Sequence, residues 1–379
     1  MGNNNFKTPG QLIKSLLEER GWTQRLLSII LDVNETGLNN IVSGKRPVTA
    51  EMALMFGEVF NLPPEDFLNL QKEYDLAMAR LVAQPDPSRA TRARLFGDLP
   101  VSEMIKRGWI FAKDVRDVSK IESELLNFFG VDSINQIEIL PCAAKKTDTT
   151  RPVTPAQLAW FYRVKTIAEE MIVTKYSKNS LLKAVGRLKK MLMSPEEIRK
   201  VPRILAESGI RFAVVESLSS AKIDGVCFWL DEASPVIGMS LRYDRIDNFW
   251  FVLRHEIEHV LRDHGRNAVI IDVELERKNS GQGNNIIEEE RLANKAAADF
   301  CVPDNKVERF IARKYPFLKE SDMLGLARTT QVHPGLVAGQ IQRRTGRYNL
   351  FRKHLVKIRP FILPNAVIDG WGNIAPVGF

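Results

Sequence analysis

The sequence predicts an α+β protein that is predominantly helical. An all-α domain stands at the N-terminus, and a domain toward the C-terminus sets a small β-sheet beside a helix rich in metal-binding groups. Three observations predict this. The first 75 residues repeat apolar side chains at helical spacing between successive capping signals. Residues 210–241 change to β-rich runs, IRFAVVESL, GVCFWL and PVIGMSL, separated by turns. Residues 248–262, NFWFVLRHEIEHVLR, return to a helical apolar stripe carrying two histidines four residues apart.

At 379 residues the chain exceeds the usual span of one hydrophobic core, so several domains are expected. Composition divides it at 1–84, 85–200, 201–345 and 346–379. The second segment opens with QPDPSRATRAR, a linker from Gln84 to Arg94, and continues as mainly helical sequence. No apolar run approaches the roughly 20 residues that cross a bilayer. The start, MGNNNFKTPG, lacks the apolar stretch of a secretory signal. Three scattered cysteines, Cys142, Cys227 and Cys301, give neither a disulfide framework nor metal-ligand spacing. These features exclude membrane-spanning and disulfide-stapled classes and point to a cytoplasmic protein with no membrane partner.

The net charge of +8 suits a partner rich in phosphate. It is unevenly placed. From Met323 to Ile368 there is no acidic residue, while Arg328, Arg343, Arg344, Arg347, Arg352, Lys353, Lys357 and Arg359 all fall there. Such a stretch is either a solvated basic face or a dock for nucleic acid or an acidic partner.

The N-terminal helices have local causes. Thr8-Pro9 is an N-cap followed by proline at the first helical position. Leu12, Ile13, Leu16 and Leu17 repeat at helical spacing until Gly21 stops the helix. Thr23 caps the second helix, with Leu26, Leu27 and Ile30 expected to face inward. Asp32-Val33-Asn34 makes a tight turn, and Glu35 to Ser43 forms a third helix ended by Gly44. Thr49 caps a fourth helix, and Pro63-Pro64 begins a fifth. Helix, short turn, helix is the geometry of helix-turn-helix DNA binders, whose second helix enters the major groove. That helix would offer Glu35, Thr36, Asn39 and Asn40 to base edges. Gln24 would lie near the phosphates, and Lys45 and Arg46 would contact the backbone.

The run TPGQLIKSLLEERGWTQRLLSIILDVNETGLNNIVSGKRPVT resembles the HigA-like, antitoxin-repressor branch of the Xre helix-turn-helix family. The likeness covers residues 6–76 and includes Gly21 before Thr23-Gln24, the SGKRP run and LQKEYDL. It implies a double-stranded DNA operator as partner and a homodimer.

In the C-terminal half, His255 and His259 share one helix face about a turn apart, a spacing at which two imidazoles bind one tetrahedral zinc. Glu256 follows the first histidine, completing an H-E-x-x-H arrangement in which the glutamate serves as general base. A catalytic zinc needs a third protein ligand, and Asp272, Glu274, Glu276, Glu288, Glu289 and Glu290 all lie downstream. In one broad class of such peptidases the third ligand is a glutamate on a second helix, followed four residues later by an Asp or Asn, and of these six acids Glu290 has such a partner. That residue, Asn294, is expected to hold a ligating histidine by a hydrogen bond. The helix EERLANKAAADF would carry both on one face, its alanines allowing close approach to the first helix. His333 is the leading candidate for an oxyanion donor, with Tyr243 second.

PVIGMSLRYDRIDNFWFVLRHEIEHVL followed by EEERLANKAAADFCVP is similar to the ImmA/IrrE metallopeptidases over about residues 205–345. The matching positions are Arg245, His255, Glu256, His259, Glu290, Ala293, Asn294 and Pro303. Glu258 departs from the pattern, which often has glycine there. The resemblance implies a minimal zincin-like domain, Zn2+ as cofactor and limited proteolysis of a regulatory protein such as a helix-turn-helix repressor or antitoxin. The expectation is a DNA-binding zinc metalloendopeptidase that controls transcription. The alternative is a HigA-like regulator or antitoxin whose peptidase-like domain is a sensor or a dock without turnover.

Overall fold

The computed structural model describes residues 7–82, 93, 96–97, 99–133, 136, 145–146, 153–266, 269–273 and 288–378. Two of the six candidate third ligands, Glu274 and Glu276, and almost all of the Gln84–Arg94 segment lie outside the described residues. The chain divides into two units, Met1–Pro87 and Ser88–Phe379.

Local capping chemistry builds the first unit. Its helices are α1 (Pro9–Arg20), α2 (Gln24–Ile30), α3 (Glu35–Val42), α4 (Ala50–Phe60) and α5 (Pro64–Val82). The side chains of Thr8, Thr23, Asn34 and Thr49 each accept a backbone N–H at a helix start, as N-caps do. Gly21 closes α1 in the left-handed conformation. Ile13, Leu27, Leu38, Phe56, Phe60 and Phe67 fill the core. Two expectations change. Leu26 and Ile30 are 41% and 42% exposed, because α2 is two turns long and buries only the row through Leu27. The fifth helix runs for 19 residues, since nothing after Pro64 breaks it before Val82.

The second unit places a mixed sheet between helical layers. Its helices are α6 (Val101–Lys106), α7 (Val118–Phe129), α8 (Pro155–Glu169), α9 (Lys178–Lys189) and α10 (Val201–Ala206), then α11 (Ile246–Leu261), α12 (Glu288–Cys301), α13 (Asp304–Lys314), α14 (Glu320–Thr330), α15 (Pro334–Thr345) and α16 (Arg359–Ile362). Its strands are β1 (Lys145–Lys146), β2 (Arg211–Val215), β3 (Ile223–Trp229), β4 (Pro235–Met239), β5 (Ile270–Val273) and β6 (Val367–Asp369). The spatial order is β1-β5-β3-β4-β2-β6. β3 is antiparallel to both neighbours, and the remaining pairs are parallel.

Alternation along the strands feeds two cores. Phe212 and Val214 of β2 join Phe249, Trp250, Leu253 and Ile257 of α11. Ala213 and Val215 join Trp160, Val164 and Ile167 of α8 on the opposite face. With both faces covered, β2, β3 and β4 read as nearly continuous apolar runs.

Two segments that composition sets apart build this unit. α8 comes from the helical segment before residue 200, and β6 comes from the C-terminal extension. They are joined by a buried ion pair. Arg163 of α8 donates to Asp369 Oδ2 at 3.0 and 2.6 Å, Trp109 Nε1 donates to Asp369 Oδ1 at 2.7 Å, and both charged side chains are 1% exposed. Arg163 also donates to the Ala375 carbonyl, so the tail beyond β6 is tied to the same point. Among the described residues, no helix is long and apolar enough to cross a membrane.

Removing one member of a buried, hydrogen-bonded pair leaves the other charge uncompensated, at about 3–5 kcal/mol. Asp369→Ala is therefore expected to destabilise the second unit by about that amount in urea denaturation. A loss below about 1 kcal/mol would mean that the pair does not hold β6 in place.

Candidate metal centre

The centre is assembled from one strand and two helices. α11 is apolar on nearly all sides and buried along almost its whole length. Most of its polar residues are therefore buried with it. His255, Glu256 and His259 have no exposed surface. α12 runs against α11, and the buried Ala293 and Ala297 let the two helices approach closely. This brings Glu290, 3% exposed, to the two histidines. β5 contributes Asp272, which is fully buried.

β3 shapes the wall behind Glu256. Gly225 pairs with Asp272, and the register shifts between Ile223 and Gly225. A Cβ at 225 would collide with the Glu256 carboxyl, so glycine is required for this close approach. Beyond α11, Asp263 and Gly265 take positive φ and turn the chain back. His264 Nδ1 thereby comes to 3.1 Å from His259 Nδ1.

The donor atoms converge tightly. His255 Nε2 and His259 Nε2 are 3.0 Å apart. Glu290 lies 3.4 Å from each of these nitrogens through its two oxygens. Asp272 Oδ2 lies 3.1 Å from His255 Nε2 and 4.0 Å from His259 Nε2. All four donors fall within 4.8 Å of one another. Ligand atoms on a tetrahedral zinc with bonds of ~2.0–2.1 Å are separated by about 3.3–3.4 Å. Nitrogen and carboxylate donors at these separations fit a zinc ion. Glu290 Oε2 is buried with no hydrogen-bond partner, as a metal ligand would be before the ion arrives.

Electrostatics point the same way. Burial opposes charging of His255, but Asp272 and Glu290 outweigh it and lift its pKa to about 10. Burial and then the neighbouring His255 hold His259 down at about 3. Burial, reinforced by Asp272, raises Glu290 to about 7. Burial and the same Asp272 carboxylate push Glu256 well above the usual carboxylate range. Burial alone would raise Asp272, but His255 and His259 outweigh it and move its pKa down.

The remaining predicted residues have other surroundings. Asn294 is buried on the Glu290 face, but neither of its polar side-chain atoms has a hydrogen-bond partner. The expected bond from Asn294 to a ligating histidine is therefore absent. His264 occupies that role toward His259, because the turn after α11 folds back while Asn294 lies a turn along α12. His333 is the N-cap of α15, its Nδ1 accepting from Gly335 N at 3.1 Å, and none of its hydrogen bonds reaches the cluster. The Tyr243 hydroxyl accepts from Arg242. Glu258 binds Arg254 at 2.7 Å and Arg262 at 2.6 Å, which accounts for a carboxylate on this helix away from the metal donors. Arg245 pairs with Asp247 at the start of α11.

In the first unit, Glu35, Thr36 and Asn39 are exposed on α3, Asn40 and Gln24 are half-buried, and Lys45 and Arg46 are exposed after α3. The α2–α3 turn is pinned by Asn34 Oδ1, which accepts from Thr36 N and Gly37 N.

Fold and site define a helix-turn-helix protein whose larger unit holds a candidate metal centre. The chain belongs to the helix-turn-helix family of transcriptional regulators: it is 30% identical over 88 residues to the HTH-type transcriptional regulator YddM of Escherichia coli, 92% of that protein and 23% of this chain. The helix-turn-helix family signature matches residues 13–67. Virulence-associated protein A' of Dichelobacter nodosus is 41% identical over 70 residues, 18% of this chain. The chain spans 61% of that protein's length. Two solved structures from Pseudomonas aeruginosa are similar to the chain. A protein in complex with its 18-bp operator DNA is 30% identical, with a TM-score of 0.20, covering 22% of this chain and 89% of that one. The antitoxin HigA with the higBA promoter is 28% identical, with a TM-score of 0.19, covering 21% and 96%.

Metal binding must displace the protons that His255 and Glu290 hold. Zinc affinity is thus expected to rise with pH, most clearly as Glu290 deprotonates through about pH 7. Each displaced proton adds about a tenfold gain per pH unit. Competition titration with a chromophoric chelator between pH 6 and 8 checks this, and an affinity that is flat or falls across that range contradicts it.

Proposed function

We propose that this chain is a cytoplasmic transcriptional regulator that binds double-stranded operator DNA as a homodimer and carries a zinc-dependent endopeptidase in its larger unit. The protein substrate is a helix-turn-helix repressor, an antitoxin or the chain itself. The observation that carries the enzymatic half is the convergence of His255, His259 and Glu290 at zinc-tetrahedron spacing beside a buried Glu256. The DNA half is supported by family membership and by a short helix whose exposed face bears Glu35, Thr36 and Asn39 ahead of Lys45 and Arg46.

His255, His259 and Glu290 would hold the ion, with His264 fixing the ring of His259 through its second nitrogen. Bound zinc supplies a Lewis acid that polarises a carbonyl and acidifies water. Glu256 accepts a proton at its carboxylate and returns it to the leaving amine. Burial and neighbouring carboxylates raise its pKa, which favours a proton on its carboxyl.

Glu256→Gln is expected to keep zinc and operator binding while slowing cleavage of a neighbouring repressor or antitoxin by roughly 10²–10⁴-fold. Cleavage at the wild-type rate would remove Glu256 from the mechanism. Asn39→Ala is expected to weaken operator binding by about 1–3 kcal/mol in a gel-shift titration at fixed salt. An unchanged affinity would place α3 outside the groove.

A further inference from the structure

Three protein ligands suffice for a catalytic zinc, yet a fourth donor stands at the same point. Asp272 lies on β5, between β1 and β3. Ile271 enters the core on the α8 side of the sheet. Alternation therefore sends the next side chain, Asp272, to the opposite face, toward α11. Its Oδ2 meets His255 Nε2 and His259 Nε2 at 3.1 and 4.0 Å, against 3.4 and 3.4 Å for Glu290. The two carboxylates hold equivalent stations around the same pair of imidazoles.

Asp272 reaches this point from an inner strand of the sheet. The shift in β3 register and the bare Gly225 lie opposite it, leaving room for the carboxyl beside Glu256.

Zinc sites with four protein ligands are closed, whereas sites that turn over keep one position open. We propose that Asp272 is a fourth protein ligand, so that the centre as folded is a closed site of two histidines, an aspartate and a glutamate, and the peptidase is latent until Asp272 is withdrawn. This rests on the zinc reading of the site. It assigns to β5 the task of blocking the position that chemistry requires.

The test uses the full chain loaded with cobalt(II), whose visible bands report coordination number and ligand exchange. Spectra are recorded with and without sodium azide for wild type, Asp272→Ala and the near-isosteric Asp272→Asn. The wild-type bands are expected to ignore azide. Both variants are expected to bind the metal more weakly, by roughly tenfold or more, and to shift their bands with azide as an open position is filled. The asparagine variant keeps the shape of β5, so the test survives if the alanine variant fails to fold. Wild-type bands that shift with azide as the variants' do would overturn the proposal and leave the zinc reading intact. Variants that match wild type in affinity and in indifference to azide would overturn it equally. A wild-type chain that takes up no cobalt would remove the zinc reading and the proposal together.

Discussion

Three carboxylates, those of Glu256, Asp272 and Glu290, are buried together with the imidazoles of His255 and His259, and the second unit is arranged around the need to neutralise them. Each of these groups would be well solvated on the surface. Buried between α11, α12 and β5, they must satisfy one another or bind something positive. Asp272 and Glu290 flank His255 and raise its pKa despite its burial, while burial and the neighbouring His255 lower that of His259. This is a frustrated set held in place by apolar packing on every side. Such frustration inside a well-packed core is the mark of a site built for a ligand.

The packing that enforces it is layered. The sheet is covered on both faces, so α11 is pressed between β3 and the helices that come after it, and its histidines are buried. Single residues adjust the fit: Gly225 admits the Glu256 carboxyl, and the alanines of α12 admit Glu290. The chain's last strand and tail are fastened far from the centre through Arg163, Trp109 and Asp369, closing the sheet at its opposite edge. The basic C-terminal stretch thus also has a structural part, since it leads into β6 and pairs Lys353 and His354 with Glu320.

How much of this is legible in the sequence depends on range. Helix boundaries in the first unit are legible because caps such as Thr8, Thr23 and Asn34 act over three or four residues. The pairing of His255 with His259 is legible because both lie within one helical turn. Glu290 stands out among the acids through its spacing to Asn294, yet Asn294 makes no such bond and the partner of His259 is His264. That contact depends on a left-handed turn at Asp263 and Gly265, which spacing along a helix does not report. Asp272 is one candidate ligand among six in the sequence, and its place depends on β5 finding β3. β1 and β6 likewise pair with strands distant in sequence. Only the contiguous apolar runs of β2, β3 and β4 announce the sheet.

The claim on which the rest turns is that the buried cluster binds zinc. Elemental analysis of the purified full-length protein, beside His255→Ala and Glu290→Ala, tests it most directly. About one zinc per wild-type chain is expected, retained through dialysis against a chelator and lost from both variants. A wild-type protein that holds no zinc after zinc is supplied and the excess removed, or variants that retain it as well as wild type does, would contradict it.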